Sequence, residues 1–280
     1  MKIVKKINLV ILLTILLWSC NTKKESTNPT TNDRKVVKMV TDHGILVIEL
    51  YNETPLHRDN FIKLANMGEY DSLLFHRVIE KFMIQGGDLE SRNAKNDDQL
   101  GNGGLPYTVD AEFNPYLFHK KGALGAARDG NPERASNSMQ FYIVQGKLFN
   151  DSLINNAENR INGWLAEHYL INDPANKSLF ESIQKAIDNE DEERYTFLND
   201  SLKKLAETYD DFERYSIPES HRKVYKSIGG TPHLDQNYTV FGQVVEGLEV
   251  VDSIATVRTG KNDRPITNVR IHSVRVLEKD

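Results

Sequence analysis

The sequence predicts a mainly β fold that is interrupted by an α-helical insertion. Before Gly146 the chain alternates short apolar runs with turns rich in Gly, Pro and Asn, as in residues 36–51. From residue 151 to about 226 it changes to long polar segments whose apolar residues recur at helical spacing, with Ile183, Ala186 and Ile187 on the face of one helix and Phe197, Leu198, Leu202 and Leu205 on the face of another. After the Gly229–Gly230 pair the strand pattern returns. These changes divide the folded part into a first β section over 36–150, a helical insertion over 151–229 and a second β section over 230–280.

Residues 1–19 have the pattern of a secretory signal peptide. Three lysines precede an apolar run over residues 9–18, and this run is too short for a comfortable membrane span. Cys20 follows and is the only cysteine in the chain, so no intramolecular disulfide is possible. The ending Leu-Trp-Ser-Cys at residues 17–20 resembles a bacterial lipobox, which implies lipidation of Cys20. An uncleaved anchor, or a plain signal followed by a free thiol, is the alternative.

Residues 20–35 form the expected lipidated N-terminus and a flexible tether. From residue 21 to 35 they contain no apolar side chain and therefore cannot join a core. The whole chain carries a net charge of −5, and residues 151–230 hold 16 acidic and 10 basic side chains. Such an acidic surface argues against nucleic acid or anionic lipid as the main partner. We expect a cell-envelope protein, lipid-anchored to the inner or outer membrane and facing the periplasm.

The most informative stretch of the β section is the run from Phe75 to Asp88. At period two, Arg77 and Val78 lie on opposite faces of an extended segment, and residues 82–84 are continuously apolar. Gly86–Gly87 then allows a sharp turn or a close backbone approach. Taken alone, this run fits a buried strand with one snorkelling arginine as well as it fits a functional site.

This run resembles the core motif of the cyclophilin family of peptidyl-prolyl isomerases, which reads Phe-His-Arg and then, after a short link, Phe-Met-x-Gln-Gly-Gly-Asp. Residues 137–143, Asn-Ser-Met-Gln-Phe-Tyr-Ile, are similar to the family's Gln-Phe-Phe strand. Residues 232–242 are similar to its closing segment. Three blocks in the family's order make chance similarity unlikely, and the resemblance covers roughly residues 36–150 and 230–278.

The resemblance implies a closed antiparallel β-barrel capped by helices, one of which begins near Thr54. The inserted α-helical subdomain would separate the Gln140 strand from the Leu234 segment. Because both flanks of the insertion carry expected pocket residues, its helices should emerge close to the mouth of the site. They could hold a protein partner there, or they could be a surface elaboration, since long surface insertions cost little.

The resemblance also implies an activity, cis-trans isomerisation of the peptide bond before proline. The barrier of roughly 18–20 kcal/mol comes from amide resonance, so the reaction needs no nucleophile, metal or cofactor. As the bond rotates, its nitrogen regains a lone pair and accepts a hydrogen bond, so a nearby cation stabilises the transition state selectively. Arginine suits this role because it is always charged and presents its donors in a fixed fork.

By resemblance, Arg77 carries this electrostatic role, and Gln85 and Gln140 hold the substrate backbone and orient the arginine. The other implied site residues bind the substrate around the proline. They are Phe82, Met83, Tyr142 and Leu234 in the proline pocket, Ala127 and Arg128 beside the residue before proline, and His233 and Tyr238 at the rim.

Three parts of the sequence depart from the family's pattern. Tyr142 stands where many relatives have phenylalanine, so its hydroxyl must find a partner or reach water. His233 stands where the best known eukaryotic members have a tryptophan tied to cyclosporin binding, so weak sensitivity to that drug is expected. Glu80-Lys81 replaces the usual Pro-Gly link and could shift the approach of Arg77.

Two functions of different classes remain open from the sequence. The first is a lipid-anchored prolyl isomerase that assists the folding of proline-containing unfolded or exported proteins. The second is a non-catalytic chaperone or scaffold whose barrel binds proline segments and whose acidic insertion recruits a protein partner. Arg77 favours catalysis, because a pure binding module has no need of it. The eight histidines form no His-Glu-x-x-His motif, so neither a metal nor a cofactor is expected.

Overall fold

The computed structural model describes residues 34–95, 98–171 and 173–278. The predicted signal, Cys20 and the tether up to residue 33 lie outside them. Within the described residues, no helix combines the length and the apolar character needed to cross a membrane.

Eight strands form one antiparallel sheet in the order β10-β1-β2-β9-β6-β8-β4-β3, and two short strands, β5 and β7, pair separately. The strands are β1 (Val36–Thr41), β2 (Gly44–Leu50), β3 (Arg77–Ile79), β4 (Met83–Gly86), β5 (Thr108–Val109), β6 (Ala123–Ala126), β7 (Ser136–Asn137), β8 (Phe141–Val144), β9 (Val240–Glu246) and β10 (Ile271–Leu277). The helices are α1 (Pro55–Asn66), α2 (Asp151–Leu170), α3 (Lys177–Asp188), α4 (Glu192–Ala206), α5 (Glu219–Ser227) and α6 (Leu248–Ala255).

The sheet curls into a half-barrel, and this confirms a mainly β section accompanied by helices. Along their own length, the two edge strands β3 and β10 share no ladder among the described residues. The segments just ahead of them do meet, because Leu74 and Arg270 form an isolated antiparallel bridge. Closure of the sheet into a continuous barrel therefore stays a prediction.

The main core lies between the concave side of the sheet and helices α1 and α6. Leu46, Ile48 and Leu50 alternate along β2 and are fully buried, as the period-two pattern predicts. Helix α1 begins at Pro55, whose missing N–H costs nothing in the first turn. Its Phe61 packs edge-on against Phe141 of β8, with ring centroids 5.7 Å apart. This contact ties the helix to the strand that carries the predicted site.

Helices α2 to α5 occupy the sequence between β8 and β9 and bury two smaller apolar clusters. Leu198 of α4 and Ala186 of α3 are buried, as their helical spacing predicts. The sequence also places Ile187 and Phe197 on these apolar faces, but they are 51% and 61% exposed. That placement is wrong because α3 and α4 pack through other residues of these faces, among them Ile183, Leu202 and Leu205.

The insertion enters and leaves the sheet at one point. Lys147 and Gly230 exchange two backbone hydrogen bonds, with N···O distances of 3.3 and 3.0 Å. Gly146 has a φ of +67°, and a Cβ there would lie 2.5 Å from the Cα of Gly230. Glycine is therefore required where the two ends of the insertion cross.

Candidate active site

A relay of side-chain amides positions Arg77 at the β3–β4 hairpin. Arg77 pairs with Gln85 across the ladder, and its Nη1 donates to Oε1 of Gln85 at 3.5 Å. Gln85 Nε2 donates to Oε1 of Gln140 at 3.0 Å. The buried Gln140 amide is fixed in turn, because its Nε2 donates to the carbonyls of Gly101 and Gly103, both at 2.8 Å. The structure thus brings the three predicted catalytic residues into one connected chain.

The guanidinium of Arg77 remains accessible while it is held. Its side chain is 41% exposed, and its Nε lies 3.4 Å from Oδ2 of Asp263 in the segment after α6. An exposed ion pair of this kind contributes at most about 1 kcal/mol. Asp263 therefore restrains the arginine only weakly, and a substrate can take over its donors.

A cavity of about 160 Å³ opens beside this arginine. Ligand pockets for drug-sized molecules usually exceed about 300 Å³, so this cavity suits a small group such as one side-chain ring. Nine residues line it, and all nine are among those that the sequence predicts. They are Arg77, Phe82, Met83, Gln85, Ala127, Arg128, Tyr142, Leu234 and Tyr238.

The other two predicted site residues, Gln140 and His233, lie behind the residues that line the cavity. Gln140 supports Gln85 from the interior, as its hydrogen bonds show. His233 stacks on the ring of Phe82, with centroids 5.5 Å apart. Burial lowers the pKa of His233 to about 4, so its ring is neutral at pH 7 and serves as an apolar platform under Phe82.

The rim of the cavity is built from a cation and two aromatic rings. The Arg128 guanidinium lies 4.8 Å from the ring centre of Tyr238, and its Nε donates to the carbonyl of Asn237 at 2.9 Å. Trp164 of α2 packs on the outer side of Tyr238, with ring centroids 6.5 Å apart. The insertion therefore reaches the rim, which agrees with the expectation that its helices emerge near the mouth.

The hydroxyl of Tyr142 finds a partner inside the protein, as the sequence requires. It lies 2.9 Å from Nε2 of His119, whose Nδ1 lies 2.8 Å from Oδ1 of Asp235. The other carboxylate oxygen of Asp235 accepts from the hydroxyl of Tyr225 in α5, at 2.7 Å. Since Nδ1–H of His119 donates to the carboxylate, Nε2 accepts from Tyr142. All four side chains are buried, so a closed hydrogen-bond chain joins the cavity floor to the insertion.

Gly125 makes room for the Tyr142 ring. A Cβ at Gly125 would lie 2.4 Å from Cζ of Tyr142, closer than any side chain allows. The tyrosine can lie flat against β6 because that strand has no side chain there. The floor of the cavity is therefore set by this pair.

Sequence reasoning missed five residues of this region. Their chemistry depends on contacts between distant segments, which periodicity within one segment does not reveal. Only Asp235 could have indicated such a contact from the sequence. It is an acidic residue inside the third similarity block, and a buried carboxylate needs hydrogen-bond donors from other side chains. The missed residues are His119, Trp164, Tyr225, Asp235 and Asp263.

Comparison with known proteins agrees with the geometry. The family profile described as cyclophilin type peptidyl-prolyl cis-trans isomerase/CLD matches residues 36–169 and 223–276. A putative peptidyl-prolyl cis-trans isomerase of Staphylococcus haemolyticus is 30% identical over 244 residues, which cover 87% of this chain and 91% of that protein. A putative bifunctional phosphatase/peptidyl-prolyl cis-trans isomerase of Streptococcus pyogenes is 29% identical over 245 residues, 86% of this chain but only 38% of that protein.

The solved structures show the fold. A cyclophilin type peptidyl-prolyl cis-trans isomerase of Cryptosporidium parvum superimposes with a TM-score of 0.52 at 19% identity, covering 88% of this chain and 99% of that one. The same protein crystallised in the presence of the dipeptide Ala-Pro gives a TM-score of 0.51. With the profile and the relatives, the arginine, its amide relay and the small cavity place the chain in one family. It belongs to the cyclophilin-type peptidyl-prolyl cis-trans isomerases.

Proposed function

We propose that this isomerase works by electrostatic stabilisation of the twisted prolyl amide, without covalent chemistry. The observation that carries the proposal is the Arg77 guanidinium, held by Gln85 at the mouth of the 160 Å³ cavity. A proline ring in the cavity would place its amide nitrogen within reach of the arginine. Rotation of the amide localises the nitrogen lone pair, so the cation binds the twisted state better than the planar one.

The hydrogen bonds between the side-chain amides of Gln85 and Gln140 explain how the Arg77 guanidinium is held in one orientation. Gln85 cannot turn its carbonyl away from Arg77 without breaking its bond to Gln140. Gln140 in turn is fixed by two backbone carbonyls. A guanidinium fixed before the substrate arrives loses little entropy when it binds, which favours an effect in the transition state.

The test compares the full chain with its Arg77→Ala and Arg77→Lys variants in a prolyl isomerisation assay on a short peptide. Arg77→Ala should lower kcat/KM at least about 100-fold, which corresponds to about 2.7 kcal/mol of transition-state stabilisation. The kcat/KM of Arg77→Lys should lie between those of the unmodified chain and Arg77→Ala, since a lysine keeps the charge but loses the forked arrangement of donors. The matched control is Arg258→Ala, at an exposed arginine of the α6–β10 connection, which should change nothing.

A kcat/KM for Arg77→Ala within twofold of the unmodified chain, with an unchanged circular dichroism spectrum, would reject the electrostatic mechanism. The non-catalytic scaffold gains no support from the site. Arg77, Gln85 and Gln140 are present and connected, although a binding module has no use for them.

We further propose that the enzyme assists the folding of exported proteins from a lipid anchor at Cys20, on the periplasmic side of the inner or outer membrane. The support is the signal pattern over residues 1–19, the lipobox-like ending and the polar tether. The substrates would be proline-containing unfolded or exported proteins. Growth with a labelled fatty acid tests the anchor: the unmodified chain should take up label and Cys20→Ser should not. A Cys20→Ser form that stays membrane-bound would reject the anchor.

A further inference from the structure

A second cavity of about 430 Å³ opens next to the proline pocket. It lies between the loop over residues 128–134 and helix α2 of the insertion. Arg128 lines both cavities, so they are neighbours that share one side chain. Trp164, which contacts the rim residue Tyr238, forms part of the opposite wall. The insertion thus supplies one side of a site whose other side comes from the sheet.

Two arginines give this cavity its chemical character. Arg134 is partly buried, its guanidinium packs 4.4 Å from the ring centre of Phe113, and its Nη1 donates to the carbonyl of Gln236 at 3.0 Å. Arg128 is held by backbone carbonyls in the same way. Within the described residues, neither arginine lies within 4 Å of a carboxylate. Both guanidinium groups are therefore fixed, yet they keep donors for a ligand.

The remaining walls offset this positive charge only in part. Glu167 is the one acidic residue among those that line the cavity; desolvation raises the pKa of its carboxyl, and the charge of Arg128 acts against that rise. Burial, together with the two arginines, lowers the pKa of His168, so that ring is neutral at pH 7. Trp164 and Ile171 add apolar surface. The cavity accordingly suits a side chain with an apolar stem and an anionic end.

A substrate chain in the proline pocket can reach this cavity. The family resemblance implies that the residue before proline lies against Ala127 and Arg128. An extended chain advances about 3.3–3.6 Å per residue, so two or three residues carry it past the Arg128 side chain. A substrate that binds as the resemblance implies would therefore present the side chains before its proline to this cavity.

We propose that this cavity is a substrate subsite that selects an Asp or Glu two to three residues before the proline. Its carboxylate binds the guanidinium of Arg134, with Arg128 beside it, and its stem packs on Trp164. A planar guanidinium matches a carboxylate with two parallel hydrogen bonds. The inference rests on the proposed binding of prolyl substrates, and it gives the insertion a role in substrate choice.

The experiment uses acetylated, amidated peptides that share an Ala-Pro core and carry Glu, Gln or Lys two or three residues before the proline. The sequence has two tryptophans, and Trp18 lies in the proposed signal peptide, so the fluorescence of the mature chain reports on Trp164 alone. Peptide affinity is measured by this fluorescence, and kcat/KM by isomerisation in the same samples. The Glu peptide should bind about tenfold more tightly than the Gln peptide and shift the Trp164 emission, and the Lys peptide should bind most weakly.

Variants assign the effect to the cavity. Arg134→Gln should reduce the Glu-to-Gln affinity ratio to about one, and Glu167→Gln should increase it, because an exposed competing carboxylate is removed. Arg258→Gln, outside the cavity, should leave the ratio unchanged. The ratio should also shrink as salt is raised from low ionic strength.

The outcomes separate the subsite from the catalytic proposal. Equal affinities for the three peptides, with isomerisation still dependent on Arg77, would overturn the subsite and leave the mechanism standing. Selective binding of the Glu peptide without turnover would support the subsite and count against the mechanism. A preference for Glu that persists in Arg134→Gln would also overturn the assignment.

Discussion

Replacing Tyr225 by phenylalanine should destabilise the protein although the ring, and with it the packing, is kept. The Tyr225 hydroxyl donates to Oδ2 of the fully buried Asp235 at 2.7 Å. A hydrogen bond to a charged group contributes about 1.5–3 kcal/mol, and the carboxylate left behind is buried and short of one donor. We therefore expect Tyr225→Phe to lower the free energy of unfolding by about 2 kcal/mol. For a chain of this size that corresponds to a fall in Tm of about 4–8 °C.

The free energy is measured by urea unfolding followed by circular dichroism, with Tyr116→Phe as the matched control. Tyr116 is 82% exposed, so loss of its hydroxyl should change stability by less than about 0.5 kcal/mol. A change in Tyr225→Phe no larger than in the control would refute the view that the buried chain joins the insertion to the sheet.

A double-mutant cycle tests the chain itself. Tyr142→Phe leaves Nε2 of His119 without its donor and should cost about 1–3 kcal/mol. Tyr142 and Tyr225 do not touch the same atom, but both act on the His119–Asp235 pair. Their combined effect should depart from the sum by more than about 0.5 kcal/mol. Strict additivity would show that the two hydroxyls are independent.

Three further predictions follow from local geometry. Burial lowers the pKa values of His76 and His233 to about 4. Between pH 6.5 and 4 the unfolded chain therefore binds protons that the native protein does not. The free energy of unfolding is greatest above pH 6.5 and falls on acidification. Urea unfolding should show a loss of about 2 kcal/mol per histidine between pH 7 and pH 5. Gly125→Ala should displace the Tyr142 ring, lowering both kcat/KM and the free energy of unfolding, the latter by about 1–3 kcal/mol. Lys81 has a φ of +64°, which is strained for a residue with a Cβ and open to glycine. Lys81→Gly should therefore raise the free energy of unfolding by about 0.5–1 kcal/mol, and the Tm with it.

Each of these three has a control of its own. His233→Gln should lose less stability between pH 7 and 5 than the unmodified chain, and an equal loss would contradict the assignment. Gly130→Ala adds a Cβ in open space, so it should leave the free energy of unfolding unchanged where Gly125→Ala lowers it. Lys81→Ala keeps the strained backbone and should not stabilise; if it stabilises as much as glycine does, backbone strain is not the cause.

The sequence predicts the local features of this fold because they depend on neighbouring residues. Alternation places Leu46 and Ile48 inward, and a proline in the right context begins α1 at Pro55. The similarity blocks identify the cavity lining because a motif preserves residues that meet in space. The prediction of the cavity residues therefore depended on the family resemblance. The spacing of the run around Arg77, taken alone, fits a purely structural strand as well as a functional site.

Contacts between segments could not be predicted in this way. His119 and Asp235 lie 116 positions apart, and nothing in either segment indicates the other. Trp164 belongs to the insertion, where helical spacing gives the buried face but not the neighbour on it. Helical spacing also predicts a buried position where none exists. Phe197 has the spacing of a buried residue but is exposed, because no element covers it.

The meeting of Lys147 and Gly230 has a consequence for how the molecule folds. Strands β8 and β9 both pair with β6, yet roughly 95 residues separate them, and closing a flexible loop of that length costs about 4 kcal/mol of chain entropy. Helices form within about a microsecond, long before distant strands pair. Once α2 and α5 pack together, they hold the two chain ends within hydrogen-bonding distance, so the long loop becomes kinetically short. We therefore expect the insertion to speed the pairing of the strands on either side of it.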